Sequence, residues 1–504
     1  MNLVSSITSA VSGVSVGLTD ILLVSPMIIL FLFSLLPLTI KVLRGNKEQQ
    51  PVATLMEALI GLALTATLLI IFSGSGSSEA GVPTAFNGQL IFDGLTMWMG
   101  LITVTIGAGA MIMMFENPST RGPQFSELIF LTMNSLLGAL VLISAVNLIT
   151  VFIGLELMSL SLYLMIAMSH EQKISKEAAI KYFVLGSFAS AIFLYGVSFI
   201  YGSTGTVSTL DLMKNAEVLL KNSNHLFLFG FLFVVLGFCF KVSIAPFHAW
   251  TPDVYQGAAT PVTSFMATAI KTASFAAFLR IIASKGLIGS ENLFSILQWL
   301  AVITMTVGNV AALVQNNFKR TLAYSSIAHS GYVLIGVIAV GISQSSAFAA
   351  AGVVFYLLTY SLMTMGAFAV LSMIEKNENN FVQIDELAGL AKQKPGLALC
   401  LSIFLLSLAG LPPALGFFGK LYLFSAAVNE GLLWLVLWGV INSVLGAYYY
   451  LRPIVMMYMR DGSCNTSESG SFATTCMVVV SAILIVVLGL TSGPLFSMIE
   501  LSLG

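Results

Sequence analysis

Charged side chains are what this sequence has least of: Asp, Glu, Lys and Arg make up only 9% of its 504 residues, against roughly a quarter in an ordinary soluble domain. So few charges cannot cover a water-facing surface, which excludes a soluble globular chain. Cysteine is also scarce. Cys239, Cys400, Cys464 and Cys476 form no CxxC and no ligand-like spacing, and the four histidines are scattered, so neither a disulfide framework nor a metal centre is expected. A net charge of -1 supplies no basic surface for nucleic acid and no field for a strongly charged partner. The first apolar run lacks a basic flank, an obvious cleavage site and the arginines of a transit peptide. It is expected to be an uncleaved first helix.

Apolar residues are what the chain has in excess, at 57% of the total and a mean hydropathy of +0.96. Segments of about twenty apolar residues recur, each able to cross a hydrocarbon core of about 30 Å. In lipid the backbone must satisfy its own hydrogen bonds, so these segments are helices. The pattern predicts an all-α membrane protein with about fourteen spans, near 21–42, 53–73, 94–114, 127–146, 148–168, 177–201, 225–246, 261–284, 292–314, 320–341, 347–374, 395–424, 431–458 and 473–495. No soluble domain is left over.

Loop charge tests the count, because cytoplasmic loops accumulate Lys and Arg. Twelve of the 21 basic residues fall in odd-numbered connections, among them Lys41, Arg44, Lys47, Lys319, Arg320 and Lys376; the even connections hold only Lys214, Lys221 and Lys285. Fourteen spans with both termini outside account for that bias. Six basic residues then fall inside predicted helices. Lys181, Arg280 and Arg452 lie near helix ends, where long side chains reach the interface. Lys241, Lys271 and Lys420 have apolar sequence on both sides, as in GFCFKVSIAPF, MATAIKTASF and LGFFGKLYLF, where a charge costs at least about 2.5–3.5 kcal/mol. Glu156, in VFIGLELMSL, is their acidic counterpart.

A buried lysine can load and release a proton, and a carboxylate that approaches or retreats sets its charge. A static ion pair holding helices together is the rival reading, but three central lysines with one glutamate exceed what pairing requires. Ser264, Thr268, Lys271 and Thr272 share one helical face, and Ser325, His329 and Tyr332 form a similar stripe. His248, His329, Tyr332, Ser264 and Thr268 are therefore candidate relays, although a hydroxyl or imidazole often just bonds a neighbouring helix. Two spans look interrupted: Pro246, Pro252, Gly257 and Pro261 follow Lys241, and Gly410, Pro412, Pro413, Gly416 and Gly419 precede Lys420. Breaks five spans apart suggest a five-helix unit, helices 4–8, repeated inverted as 9–13. The expected division is 1–126 for the first three helices, 127–290 and 291–460 for the two halves, and 461–504 for the last helix. His248 and Asp253 lack a third ligand nearby, so no metal site is expected.

Three segments, GFCFKVSIAPFHAWTPDVYQGAATPVTSFMATAIK, NFKRTLAYSSIAHSGY and LSLAGLPPALGFFGKLYLF, resemble the N-type antiporter-like subunits of bacterial NADH:quinone oxidoreductase, respiratory complex I. The resemblance covers about four-fifths of the chain. M-type subunits carry glutamate where Lys420 stands, and L-type subunits carry a long lateral helix beyond the last span. The resemblance implies that Glu156 and Lys241 form the charge pair of a first half-channel, that Lys271 bridges the halves and that Lys420 ends the second. It further implies K-type and M-type neighbours in a bacterial inner membrane, and quinone and NADH used by the whole complex with no cofactor on this chain. A sodium/proton antiporter subunit and a structural scaffold are the alternatives. The resemblance says nothing about the first two helices or loop 74–93.

Overall fold

The structure is a computed structural model, and it describes residues 17–45, 50–73, 82–122, 124–168, 173–212, 225–283, 291–343, 346–375, 382–462 and 472–504. Lys47, Lys214, Lys221, Lys285 and Lys376, used above to orient the spans, lie outside the described residues.

Seventeen helices of eight residues or more are described: α1 (Leu18–Leu43), α2 (Pro51–Ser73), α3 (Gly94–Glu116), α4 (Phe125–Ser144), α5 (Leu148–Met168), α6 (Lys173–Thr204), α7 (His225–Lys241), α8 (Trp250–Gly257), α9 (Thr260–Ile282), α10 (Glu291–Leu313), α11 (Phe318–Ile342), α12 (Ala347–Ile374), α13 (Pro395–Ala409), α14 (Leu415–Asn429), α15 (Leu433–Met459), α16 (Phe472–Leu490) and α17 (Ser492–Leu503). Twelve of them are long and apolar enough to cross a membrane, and α7 and α13 are shorter apolar helices. The two interrupted spans account for the difference. A short antiparallel hairpin, Thr84–Ala85 with Leu90–Ile91, fills part of the loop before α3.

Both breaks fall where the sequence placed them, and each ends its helix short of the expected bounds of 225–246 and 395–424. Helix α7 stops at Lys241 itself. The freed Phe240 carbonyl accepts from the Trp250 indole at 3.1 Å, and the Ala245 N–H donates to Thr304 Oγ1 at 3.0 Å. Helix α13 stops at Ala409 because Gly410 turns to φ +86°, where only glycine is at ease. Pro412 and Pro413 then cannot continue the helix. The last expected span also divides: α16 ends at Leu490 and α17 follows at Ser492.

The halves share a local signature. Asn147 precedes α5 and its side chain accepts from the Ile149 N–H; Asn317 precedes α11 and accepts from the Arg320 N–H. Around Asn147, Leu148 N–H donates to Val207 O at 2.9 Å and Thr209 N–H to Val146 O at 2.9 Å. Around Asn317, Phe318 N–H donates to Val382 O at 3.0 Å and Ile384 N–H to Asn316 O at 2.8 Å. Each pair ties the start of the unit's second span to the segment after its third. Counting from these asparagines, Glu156 and Ser326 occupy the same ninth position, and Ser159 and His329 the same twelfth.

Burial sorts the helices into a core and a shell. The spanning stretch of α9 is 100% buried and those of α11 and α12 are 94% buried, whereas those of α1, α2, α6 and α16 are about a third buried or less. A helix that is apolar all round belongs in the interior of a large assembly of helices. The outer helices instead expose apolar side chains such as Phe31, Ile60, Phe188 and Val480, as a lipid-facing surface does.

Candidate functional site

The three mid-span lysines are buried, with relative exposures of 6% for Lys241, 3% for Lys271 and 7% for Lys420. Each is held differently. Lys241, at the last position of α7, donates to Ser159 Oγ on α5 at 2.6 Å and lies 5.6 Å from the Tyr182 ring centre and 5.8 Å from that of Tyr163. Glu156 stands on α5 three residues before Ser159, half-buried, and accepts a hydrogen bond from Ser190 of α6. The expected Glu156–Lys241 charge pair is therefore not closed. Each partner is occupied by its own serine, Glu156 by Ser190 on α6 and Lys241 by Ser159 on α5, with the charges still close enough to act on each other.

Lys271 follows a π-helical turn, Met266–Ile270. Such a turn inserts one extra residue into a helix, and it recurs at functional sites. The ammonium donates to Ser326 O at 2.8 Å, Ser326 Oγ at 2.5 Å and Ser330 Oγ at 2.9 Å, all on α11, and lies 5.8 Å from the Tyr360 ring centre. Ser326 occupies the position that Glu156 holds in the first half. The polar stripe read on this helix is split by the turn. Thr268 returns its proton to the Ser264 carbonyl at 2.6 Å, Thr272 meets Ser361 of α12 at 3.0 Å, and Ser264 Oγ is buried without a partner.

Lys420 on α14 reaches back to the carbonyls that the break has freed, Ala409 O at 2.9 Å and Leu408 O at 3.3 Å, and donates to Ser443 Oγ of α15 at 2.7 Å. A cation at a helix C-terminus is favoured by the helix dipole. The Tyr332 ring lies 5.1 Å from its Nζ, and an apolar cavity of about 510 Å³ between α14 and α15 opens beside it.

Helix α11 joins Lys271 to Lys420. His329 Nδ1 lies 2.6 Å from the Tyr356 hydroxyl and Nε2 3.0 Å from the Tyr450 hydroxyl, which in turn meets Ser325 Oγ at 2.6 Å. The Tyr332 hydroxyl accepts from Asn309 at 3.2 Å. Ser325, His329 and Tyr332 thus bond to α12, α15 and α10, an interhelical polar network between the two lysines. Tyr356, Tyr450, Ser326 and Ser330 belong to it and were not singled out from sequence. The spacing of Ser326, His329 and Ser330 within one helical turn was the available signal. His248 lies apart, in the break after α7, with its buried Nδ1 lacking a hydrogen-bond partner.

Two residues, one assigned to a loop and one to an interface, need correction. Lys319, read as a loop residue, is the second residue of α11, is 5% exposed and donates to Ala258 O at 2.6 Å. Arg280, read as an interfacial anchor, is buried: its guanidinium grips the Asp93 carboxylate at 2.7 and 2.9 Å and also meets Thr96 Oγ1 at 3.0 Å and Ile143 O at 3.2 Å. Burial would raise the Asp93 carboxyl, but Arg280 and Thr96 hold it well below the usual range. Asp253 bridges Lys181 at 3.0 Å and Arg320 at 2.9 Å, fixing α8 to α6 and α11. Arg452 reaches Gln315 O at 3.2 Å at the start of the α10–α11 loop. No group of three metal-binding side chains occurs among the described residues.

The sequence and the fold are similar to those of known proteins. The NADH:quinone oxidoreductase/Mrp antiporter transmembrane family matches residues 145–446, which include Glu156, Lys241, Lys271 and Lys420. The NADH-quinone oxidoreductase subunit N of Bdellovibrio bacteriovorus is 64% identical over 491 residues, covering 97% of this chain and all of that protein. A chain of Thermus thermophilus respiratory complex I superposes with a TM-score of 0.77 at 32% identity, over 94% of this chain and 98% of that one. A chain of an archaeal membrane-bound sulfane sulfur reductase superposes with a TM-score of 0.82 at 25% identity, over 96% of each. With the match running through both broken helices and all three buried lysines, the chain belongs to the NADH:quinone oxidoreductase/Mrp antiporter transmembrane family.

Proposed function

We propose that this chain is the N-type antiporter-like membrane subunit of a respiratory NADH:quinone oxidoreductase and that it translocates protons along Glu156, Lys241, Lys271 and Lys420. One observation carries the pathway: three lysines are buried at mid-span against hydroxyls and carbonyls, and none is closed into an ion pair with a carboxylate among the described residues. A scaffold would pair its charges, and Arg280 with Asp93 displays what such a structural pair looks like here. An ammonium held by neutral oxygens can give up its proton and still leave those oxygens satisfied by water or by one another. The network on α11 then gives protons a route between Lys271 and Lys420, with His329 and Tyr332 as relays and Ser264 and Thr268 below Lys271. His248, outside that network, is kept only as a relay beside Lys241.

The chain works as part of respiratory complex I with other subunits. Its neighbours in the membrane arm are K-type and M-type subunits, and NADH and quinone react elsewhere in the complex. Residues 127–290 and 291–460 are the two inverted halves, flanked by 1–126 and 461–504. The membrane is the bacterial inner membrane, with the face bearing Lys41, Asp253, Arg320 and Lys392 cytoplasmic and both termini periplasmic.

The test is Lys241→Met and Lys420→Met in the assembled complex in sealed vesicles. Proton translocation per electron pair falls in both variants. Unchanged translocation would leave the scaffold reading standing. Co-purification with flavin and iron–sulfur proteins separates this reading from a sodium/proton antiporter subunit.

A further inference from the structure

Helix α9 carries polar groups not only at Lys271 but all the way down to the face rich in basic residues. Thr260 and Ser264 lie four residues apart and stack on one side of the helix, just before the π turn, Met266–Ile270, that contains Thr268 and presents Lys271. Ser264 is completely buried, and its hydroxyl has no hydrogen-bond partner. An orphaned hydroxyl in a polar interior column is the kind of group that a buried water satisfies. At the foot of the column Thr260 Oγ1 donates to Glu375 Oε1 at 2.7 Å. Glu375 caps α12 and keeps partial exposure, while Lys319, buried beside it, donates to Ala258 O, two residues before Thr260. Lys319 and Glu375 act on each other electrostatically without closing an ion pair, so the carboxylate remains available. Burial holds the Glu375 carboxyl above the usual carboxylate range, with Lys319 and Thr260 only partly offsetting it. A partly exposed carboxyl hydrogen-bonded to the foot of a hydroxyl column can take a proton from water and pass it on.

We infer that Glu375, Thr260 and Ser264 form the proton entrance to Lys271 from the basic-rich face, with Lys319 positioning the mouth through the Ala258 carbonyl. Glu375 takes a proton from bulk water. The proton moves through the Thr260 hydroxyl and a water held by Ser264 to the neutral amine of Lys271, each oxygen giving one O–H proton forward as it gains one from behind. One positive charge crosses from the aqueous phase to Lys271, and every relay returns to its starting state.

The inference rests on the reading of Lys271 as a proton carrier, so Lys271→Met is measured alongside. In the assembled complex in sealed vesicles, Glu375→Gln and Ser264→Val lower the rate of proton uptake from the basic-rich side by at least about tenfold. Glu375→Asp restores most of it, which a purely structural role would not. If Ser264→Val fails to assemble, Ser264→Cys in a chain without other cysteines replaces it. Modification by a small water-soluble methanethiosulfonate added from the basic-rich side supports the entrance, and protection overturns it. Normal uptake in Glu375→Gln beside lost uptake in Lys271→Met refutes the entrance alone. Normal uptake in both refutes the pathway it serves.

Discussion

Gly410→Ala isolates how the break in α13 serves Lys420. Gly410 sits at φ +86°, and a methyl group built there would lie 3.0 Å from both Cδ and Nζ of Lys420. The backbone cost of a left-handed L-residue is about 1–2 kcal/mol. The crowding adds to it, because the Lys420 side chain must shift by a few tenths of an ångström and so weakens its 2.9 Å bond to Ala409 O; a hydrogen bond from a charged group is worth about 1.5–3 kcal/mol when lost outright. Together the substitution costs between about 1 kcal/mol and an upper bound of about 5 kcal/mol, with everything beyond the backbone cost falling on the lysine. Gly431 is the control: it has φ +75°, with nothing within 4 Å of the added methyl, so Gly431→Ala carries the backbone cost alone. The assay is proton translocation by the assembled complex in sealed vesicles, normalised to the amount assembled. Gly410→Ala loses most of its translocation, and Gly431→Ala keeps most of it. Equal translocation in the two variants would refute the argument that the break exists to seat Lys420.

Three further outcomes follow from the same geometry. Lys271→Met leaves Ser326 and Ser330 without their shared donor and removes the only charge in that layer of α9, so translocation falls while assembly, measured by native electrophoresis, persists. Asp93→Asn leaves Arg280 buried against a neutral amide, a loss of about 3–5 kcal/mol; thermal denaturation in detergent reports it as a lowered midpoint, and an unchanged midpoint would show that the pair is not structural. Lys181 and Arg320 hold the Asp253 carboxyl below its usual value despite burial. Its contribution is therefore complete above the unfolded-state value of about 4 and is lost as pH falls through the lower folded-state value. Denaturation midpoints below about pH 4 should drop more steeply for the unmodified chain than for Asp253→Asn.

Much of the fold was legible because lipid leaves a chain so few choices. The cost of an unsatisfied backbone group in hydrocarbon forces apolar runs into helices, and the cost of a charge at mid-span made Lys241, Lys271 and Lys420 conspicuous among 504 residues. Proline and glycine marked both breaks for an equally local reason, since no neighbour is needed for Pro412 and Pro413 to end a helix. The internal repeat was visible only in outline. The matching bridges at Asn147 and Asn317 pair segments some sixty residues apart, and nothing local announces them.

Sequence alone therefore determined which segments cross the membrane, where two of them break and which charges are too expensive to be incidental. Each of these depends on a residue and its immediate neighbours in the chain. Tertiary structure decided what each charge does, because that depends on which helix lies opposite. Arg280 and Lys271 are both basic residues on α9, yet one faces Asp93 and becomes a structural clamp, while the other faces Ser326 and Ser330 and is held by neutral oxygens alone. Lys319 and Arg320 are adjacent, yet the turn of α11 buries the first against Ala258 and points the second at Asp253. Glu156 and Lys241 were expected to form a charge pair, and in the structure each is hydrogen-bonded to a serine.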